Sequence, residues 1–216
     1  MVDELLVNEI FYSIQGESSW AGLPCAFVRL TGCNLRCSYC DTRYAYDQGR
    51  PMRAGEIVDA LLGYGVGLVE ITGGEPLLQP GTPALAAALA GWGCRVLVET
   101  NGSFDIDVLP EACIRIVDIK CPSSGEAARM DLENLHRLRA GDEVKFVMSN
   151  RGDYDYALRI LPRIIASSPC RTVHFSPVFG VLEPALLAAW MLADRPEARL
   201  HLQLHKIVWG ADRRGV

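Results

Sequence analysis

"FVRLTGCNLRCSYCDT", residues 27 to 42, runs from an apolar, strand-like stretch straight into a polar loop that holds Cys33, Cys37 and Cys40. The spacing C-x3-C-x2-C puts three thiols in one loop, and every histidine of the chain lies beyond residue 135. A structural zinc site is closed by four ligands, commonly as two pairs, so these three do not build one. Nor do they read as buried apolar residues, because Gly32, Asn34, Arg36 and Ser38 make the stretch polar. Three thiolates suit three irons of a four-iron, four-sulfur cubane, which is normally held by four. One iron is then open to another ligand.

Outward from that loop, apolar runs alternate with helical patterns. Strands are predicted for "PCAFVRL" (24–30), "GLVEIT" (67–72), "CRVLVET" (94–100), "CIRIVDIK" (113–120), "EVKFVM" (143–148), "RTVHFS" (171–176) and "LHLQLHKIV" (200–208). Helices are predicted near 54–63, 82–91, 129–139, 153–165 and 183–193. The stretch "LLVNEIFYSIQGE" (5–17) reads as an added strand or hairpin at the N-terminal end. Such alternation belongs to a parallel α/β sheet. A complete eightfold barrel takes about 250 residues; the 216 here predict an incomplete, open (β/α) barrel forming a single domain over 1–216.

The loops after these strands carry the chemistry: "ITGGEP" (71–76), "ETNGS" (99–103), "DIKCPSSG" (118–125) and "SPVFG" (176–180). Parallel α/β folds build their sites at the carboxyl ends of strands, so these loops are expected to face one pocket. His201, Gln203 and His205 alternate with Leu202 and Leu204, which predicts a strand with its polar face turned to that pocket.

Half of the residues are hydrophobic, enough for a full core, and the net charge of −5 argues against a broad nucleic-acid or anionic-membrane surface. No apolar stretch reaches the roughly 20 residues of a membrane span, and no signal-peptide pattern opens the chain, so a cytoplasmic protein is expected. Cys25, Cys94, Cys113 and Cys170 begin apolar strands and read as small core residues. Cys121 lies beside Lys120, which would lower its pKa if the thiol were exposed.

The cysteine spacing, the aromatic Tyr39 before the third cysteine and "GGEP" (73–76) together resemble the radical S-adenosylmethionine enzymes. The resemblance implies that the amino and carboxylate groups of S-adenosylmethionine occupy the open iron and that the reduced cluster cleaves it to a 5′-deoxyadenosyl radical. Within that superfamily, "FYSIQGES" (11–18), "TGGEPLLQ" (72–79), "VETNGS" (98–103), "DEVKFV" (142–147), "FSPVFG" (175–180) and "QLHKIVWG" (203–210) resemble the 7-carboxy-7-deazaguanine synthase family. That family contracts the ring of 6-carboxy-5,6,7,8-tetrahydropterin with loss of ammonia, on the route to queuosine and related deazapurines.

The resemblance also assigns roles by position. Ile14, Gln15, Gly16 and Glu17 would line the pterin edge, Arg29 would pair with the substrate carboxylate, and Thr72 and His205 would complete the substrate pocket. Thr42 would help hold a magnesium ion that also meets the substrate. Gly73, Gly74 and Glu75 would meet the methionine amino group, and backbone around Tyr39, Cys40 and Asp41 would read the adenine. Asn101, Asp118, Lys120 and Ser176 would supply further S-adenosylmethionine contacts. A flavodoxin-type electron donor and a homodimer covering the open side of the barrel are implied as well.

Plainer roles stand beside these: an ion pair for Arg29, a turn after Asp41 for Thr42, and ion pairs for Asp118 and Lys120. Two other functions stay open. A glycyl-radical-enzyme activase shares the cysteine loop and wants a protein-sized face; a non-catalytic iron–sulfur electron carrier or redox sensor wants a fourth protein ligand.

Overall fold

The structure, a computed structural model, describes residues 4–216. An N-terminal strand, β1 (Glu4–Ile14), pairs antiparallel with β2 (Pro24–Leu30) on one side and with β3 (Arg50–Arg53) on the other. From β2 the sheet continues in parallel through β4 (Leu68–Gly73), β5 (Arg95–Thr100), β6 (Ile114–Asp118), β7 (Glu143–Met148), β8 (Thr172–Pro177) and β9 (Arg199–Leu200). β3 and β9 are the two edges of this nine-stranded sheet, so the barrel is open; β1 is its N-terminal extension, and β3, a strand not predicted, pairs on the outer side of β1.

Helices cover the outer face: α1 (Ala54–Leu62), α2 (Thr82–Gly91), the single turn α3 (Asn134–Arg137), α4 (Arg151–Ser167) and α5 (Pro184–Asp194). Their starts are legible locally. Glu56 accepts from the Arg53 backbone N–H at 2.9 Å ahead of α1, Asn150 accepts from the Asp153 N–H at 3.2 Å ahead of α4, and Pro184 opens α5. One core packs α1 and α2 on β1, β2, β4 and β5 through residues such as Ile57, Leu61, Leu85, Leu89, Val28 and Ile71. A second packs α4 on β6 to β8 through Tyr154, Ile160, Ile164, Phe146 and Phe175.

Two predicted elements differ. The 129–139 helix shrinks to α3, because its flanks are turns tied by polar side chains: Asn134 Nδ2 donates to Phe104 O at 2.8 Å and Arg137 Nη1 to Asp131 Oδ2 at 2.7 Å. The 200–208 strand reduces to β9, and residues Leu204–Trp209 form a short helix, α6. The Leu204 N–H donates to Gly16 O at 2.9 Å instead of to a neighbouring strand, and this docking ends the sheet.

The concave face is partly filled below the site. Phe11 and Phe27 stack at 4.7 Å, and with Leu97, Ile116 and Trp20 they close the amino-terminal end of the barrel. Beside them His174 Nε2 meets Glu143 Oε2 at 2.7 Å and its ring abuts that of His201. Among the described residues no helix is long and apolar enough to cross a membrane.

Candidate active site

The strand ends and the cysteine loop enclose a cavity of about 590 Å³. Its outer part is the cysteine loop, held by backbone and side-chain bonds from three neighbours. Gly32 N donates to Ala45 O at 2.9 Å, and Glu75 N donates back to Gly32 O at 2.8 Å. Ser38 donates through N to Ser124 O at 3.0 Å and through Oγ to Ser123 O at 2.8 Å. Asn34 is fixed by Ser103 and Asn101, and Asn101 Nδ2 also lies 3.8 Å from Cys33 Sγ. Gly74 is required here, since a Cβ would come within 2.9 Å of Cys33 Cβ and closer still to the Gly32 carbonyl.

Cys33, Cys37 and Cys40 all border the cavity. Among the described residues no three His, Cys, Asp or Glu side chains converge on one metal ion. A cubane asks for something else, one thiolate on each of three irons, so spread cysteines around a cavity fit it and a mononuclear metal does not. Burial raises the Cys33 thiol and pushes Cys37 up to about 11, so iron must displace protons on loading. Cys121 is fully buried with its pKa raised by burial, and the open thiolate that Lys120 would have favoured does not occur.

Beside the cysteines, Lys120 Nζ pairs with Asp118 Oδ2 at 2.7 Å, while Asp118 Oδ1 is buried without a hydrogen-bond partner among the described residues. An unpaired buried carboxylate oxygen at the cavity wall suits a ligand hydroxyl or ammonium. Tyr39, Cys40, Asp41, Gly73, Gly74, Asn101, Asp118 and Lys120 line the cavity; Glu75 and Ser176 do not. Glu75 is fully buried and accepts from Leu77 N, Thr100 Oγ1 and Asn101 N at 2.9, 2.7 and 2.6 Å. Its carboxylate thus joins its own loop to the loop after β5. Ser176 is buried within β8, and Val178 and Phe179 reach the cavity in its place.

The inner part of the cavity gathers Ile14, Gln15, Gly16, Glu17, Arg29, Thr72 and His205. Gly16 packs so tightly on the His205 ring that any Cβ there would overlap it. Arg29 Nε donates to Glu9 Oε1 at 2.8 Å, and its two terminal nitrogens make no hydrogen bond among the described residues. Arg29 therefore has an internal ion pair on one edge and a fork without hydrogen bonds among the described residues on the other. Thr42 Oγ1 donates to Asp41 Oδ1 at 3.0 Å, the turn contact, and also borders the cavity.

Sequence reasoning missed a layer of charges. Glu70 on β4, Glu99 on β5 and Lys145 on β7 all line the cavity. Lys145 Nζ meets Glu17 Oε2 at 2.6 Å, Asp118 Oδ2 at 3.8 Å and Glu99 more closely. Gln15 Nε2 donates to Glu70, and Gln203 Nε2 donates to Glu17 Oε1 at 2.8 Å. Burial alone would raise the Glu17 carboxyl, but Lys145 and His205 overcome it and hold Glu17 well below the usual carboxylate range. Burial wins at Glu70 and Glu99, whose pKa values are raised, and neighbouring carboxylates add to the effect.

An open (β/α) barrel with a three-cysteine loop after its first parallel strand defines a radical S-adenosylmethionine protein, and the Radical SAM superfamily model matches residues 27–181. The chain is 47% identical over 217 residues to the 7-carboxy-7-deazaguanine synthase of Chlorobaculum tepidum, covering 98% of this chain and 97% of that one. It is 42% identical over 226 residues to the synthase of Koribacter versatilis, covering 97% and 99%. The chain belongs to the 7-carboxy-7-deazaguanine synthase family. Its fold matches the crystal structure of QueE from Escherichia coli with a TM-score of 0.78, over 94% of this chain and 95% of that one, at 21% identity.

Proposed function

We propose that the chain is a 7-carboxy-7-deazaguanine synthase, converting 6-carboxy-5,6,7,8-tetrahydropterin to 7-carboxy-7-deazaguanine with loss of ammonia. The observation that carries this reading is a single cavity with two unlike halves: three cysteines with Asp118 and Lys120 at one side, and Arg29 with the polar Gln15, Glu17 and His205 at the other. The cofactors are a [4Fe-4S] cluster on Cys33, Cys37 and Cys40 and S-adenosylmethionine, which supply hydrogen-abstracting radical chemistry when bound. The chain's own residues then need only bind, orient and exclude water.

In this reading Arg29 takes the substrate carboxylate on its free fork, and Gln15, Gly16 and Glu17 face the pterin edge. Lys145 and Gln203 fix Glu17, and Glu70 fixes Gln15, so both acceptors are oriented before substrate arrives. Gly73, Gly74, Asp118 and Lys120 receive S-adenosylmethionine. Thr42 contributes to a magnesium site completed by substrate oxygens, since one hydroxyl is a poor trap for an ion that prefers six oxygens. An external flavodoxin-type donor reduces the cluster, and the protein works in the cytoplasm as one radical S-adenosylmethionine domain. The exposed apolar side chains of Leu200, Ile207, Val208 and Trp209 at the open edge support a homodimer there.

The test is anaerobic turnover of reconstituted, reduced protein with S-adenosylmethionine, magnesium and 6-carboxytetrahydropterin. The deazaguanine acid is expected by mass spectrometry and is lost in Cys37→Ala. Slow 5′-deoxyadenosine formation with no deazaguanine would refute the substrate assignment and leave the activase reading in its place.

A further inference from the structure

The segment 211–216 folds back across the cavity mouth, and all six of its residues border the cavity. Arg214 places its guanidinium carbon 4.0 Å from the centre of the Tyr44 ring, stacked on it. No hydrogen bond or ion pair engages Arg214 among the described residues, so its five N–H donors are unused. The same Tyr44 ring has the Arg29 guanidinium carbon 5.8 Å from its centre. Tyr44 Oη donates to Glu9 Oε1 at 3.0 Å, the oxygen that also accepts from Arg29 Nε. Two guanidiniums thus contact one tyrosine ring, and the single carboxylate of Glu9 is shared between Arg29 and the tyrosine hydroxyl.

We propose that Arg214 is a second receptor, alongside Arg29, for the carboxylate of the bound ligand, and that stacking on Tyr44 holds the 211–216 segment over the mouth in position to deliver it. The inference rests on the carboxylated pterin being the substrate. An anion that meets both guanidiniums satisfies donors that are otherwise idle and fixes the ligand beneath the segment that lies over the mouth. A ligand without the carboxylate gains nothing from Arg214.

The experiment compares binding of 6-carboxytetrahydropterin and plain tetrahydropterin to the cluster-loaded protein with S-adenosylmethionine and no reductant, by anaerobic calorimetry. Wild type, Arg214→Gln and Arg214→Lys are measured. Loss of a charge-assisted hydrogen-bond pair is expected to weaken the carboxylated ligand about 10- to 100-fold in Arg214→Gln. The plain pterin should bind unchanged, and Arg214→Lys should recover part of the loss. Equal weakening of both ligands, or an undiminished preference for the carboxylate in Arg214→Gln, would overturn the role of Arg214 alone. A wild type that shows no preference would bring down the substrate reading itself, and this inference with it.

Discussion

Replacing Lys145 by Met keeps the length and volume of the side chain and removes a cation that bridges Glu17, Glu99 and Asp118. Lys145 is 6% exposed in its side chain, against 17% for Glu17 and 8% for Asp118, so the group sits in a region where solvent does little screening. Removing one partner of a buried charge pair costs about 3–5 kcal/mol, chiefly as uncompensated burial of the remaining charge. The protein can relieve that cost by taking up a proton. In the wild type Glu17 has a lowered pKa, so its stabilising contribution is present above the unfolded carboxylate value and is lost only as the pH falls below it. In the variant, burial acts without Lys145, the Glu17 carboxyl rises above its unfolded value, and the folded state binds the extra proton. Stability relative to wild type then recovers by up to about 1.4 kcal/mol per pH unit for that carboxyl as the pH is lowered. Urea unfolding of the cluster-free proteins, followed by tryptophan fluorescence between pH 8 and 5, should show a deficit of several kcal/mol at pH 8 that shrinks towards pH 5. A deficit that is constant across this range, or absent, would refute the charged inner layer.

Arg115 is fully buried and bonds Asp142, Asp107 and the Ile106 and Arg137 carbonyls, so Asp142→Ala should cost about 3–5 kcal/mol in denaturant melts without altering the cysteine loop. Burial lowers the His201 pKa to about 4, so folded stability should fall as the pH drops from about 6.5 towards 4, and His201→Leu should flatten that slope. Gly16→Ala drives a methyl into the His205 ring and should abolish pterin binding while iron content stays normal. Gly74→Ala meets backbone at Gly32 and should do the reverse, lowering the iron and sulfide bound per chain in reconstitution.

Six strands, β2 and β4 to β8, were legible because each is a short Val- or Ile-rich run between turn residues, and they fall within a residue or two of expectation; β3, "RPMR", carries no such signal. The last run was misread for a physical reason. His201, Gln203 and His205 alternate as in a strand, yet the Leu204 N–H is taken by Gly16 O, and the extended chain gives way to α6 while Gln203 and His205 still line the cavity. The three-cysteine loop was legible because its spacing leaves few other uses, and all three thiols border the cavity. Glu70, Glu99 and Lys145 were not, since a charge alternating with apolar residues reads as a solvent-facing side. Only the curl of the sheet turns that side inward. The signal was there in "LVEIT", "VLVET" and "EVKFV", the strands β4, β5 and β7, each with an ionisable residue that lines the cavity.

The most direct measurement of the central claim, that three thiolates leave one corner of the cluster for the cosubstrate, is electron paramagnetic resonance of the reduced cluster as S-adenosylmethionine is added. The account predicts that the signal shifts and saturates at one equivalent per cluster, and that Cys33→Ala, Cys37→Ala and Cys40→Ala each fail to hold the cluster. A spectrum indifferent to S-adenosylmethionine would mean a cluster already fully ligated by protein, and would contradict it.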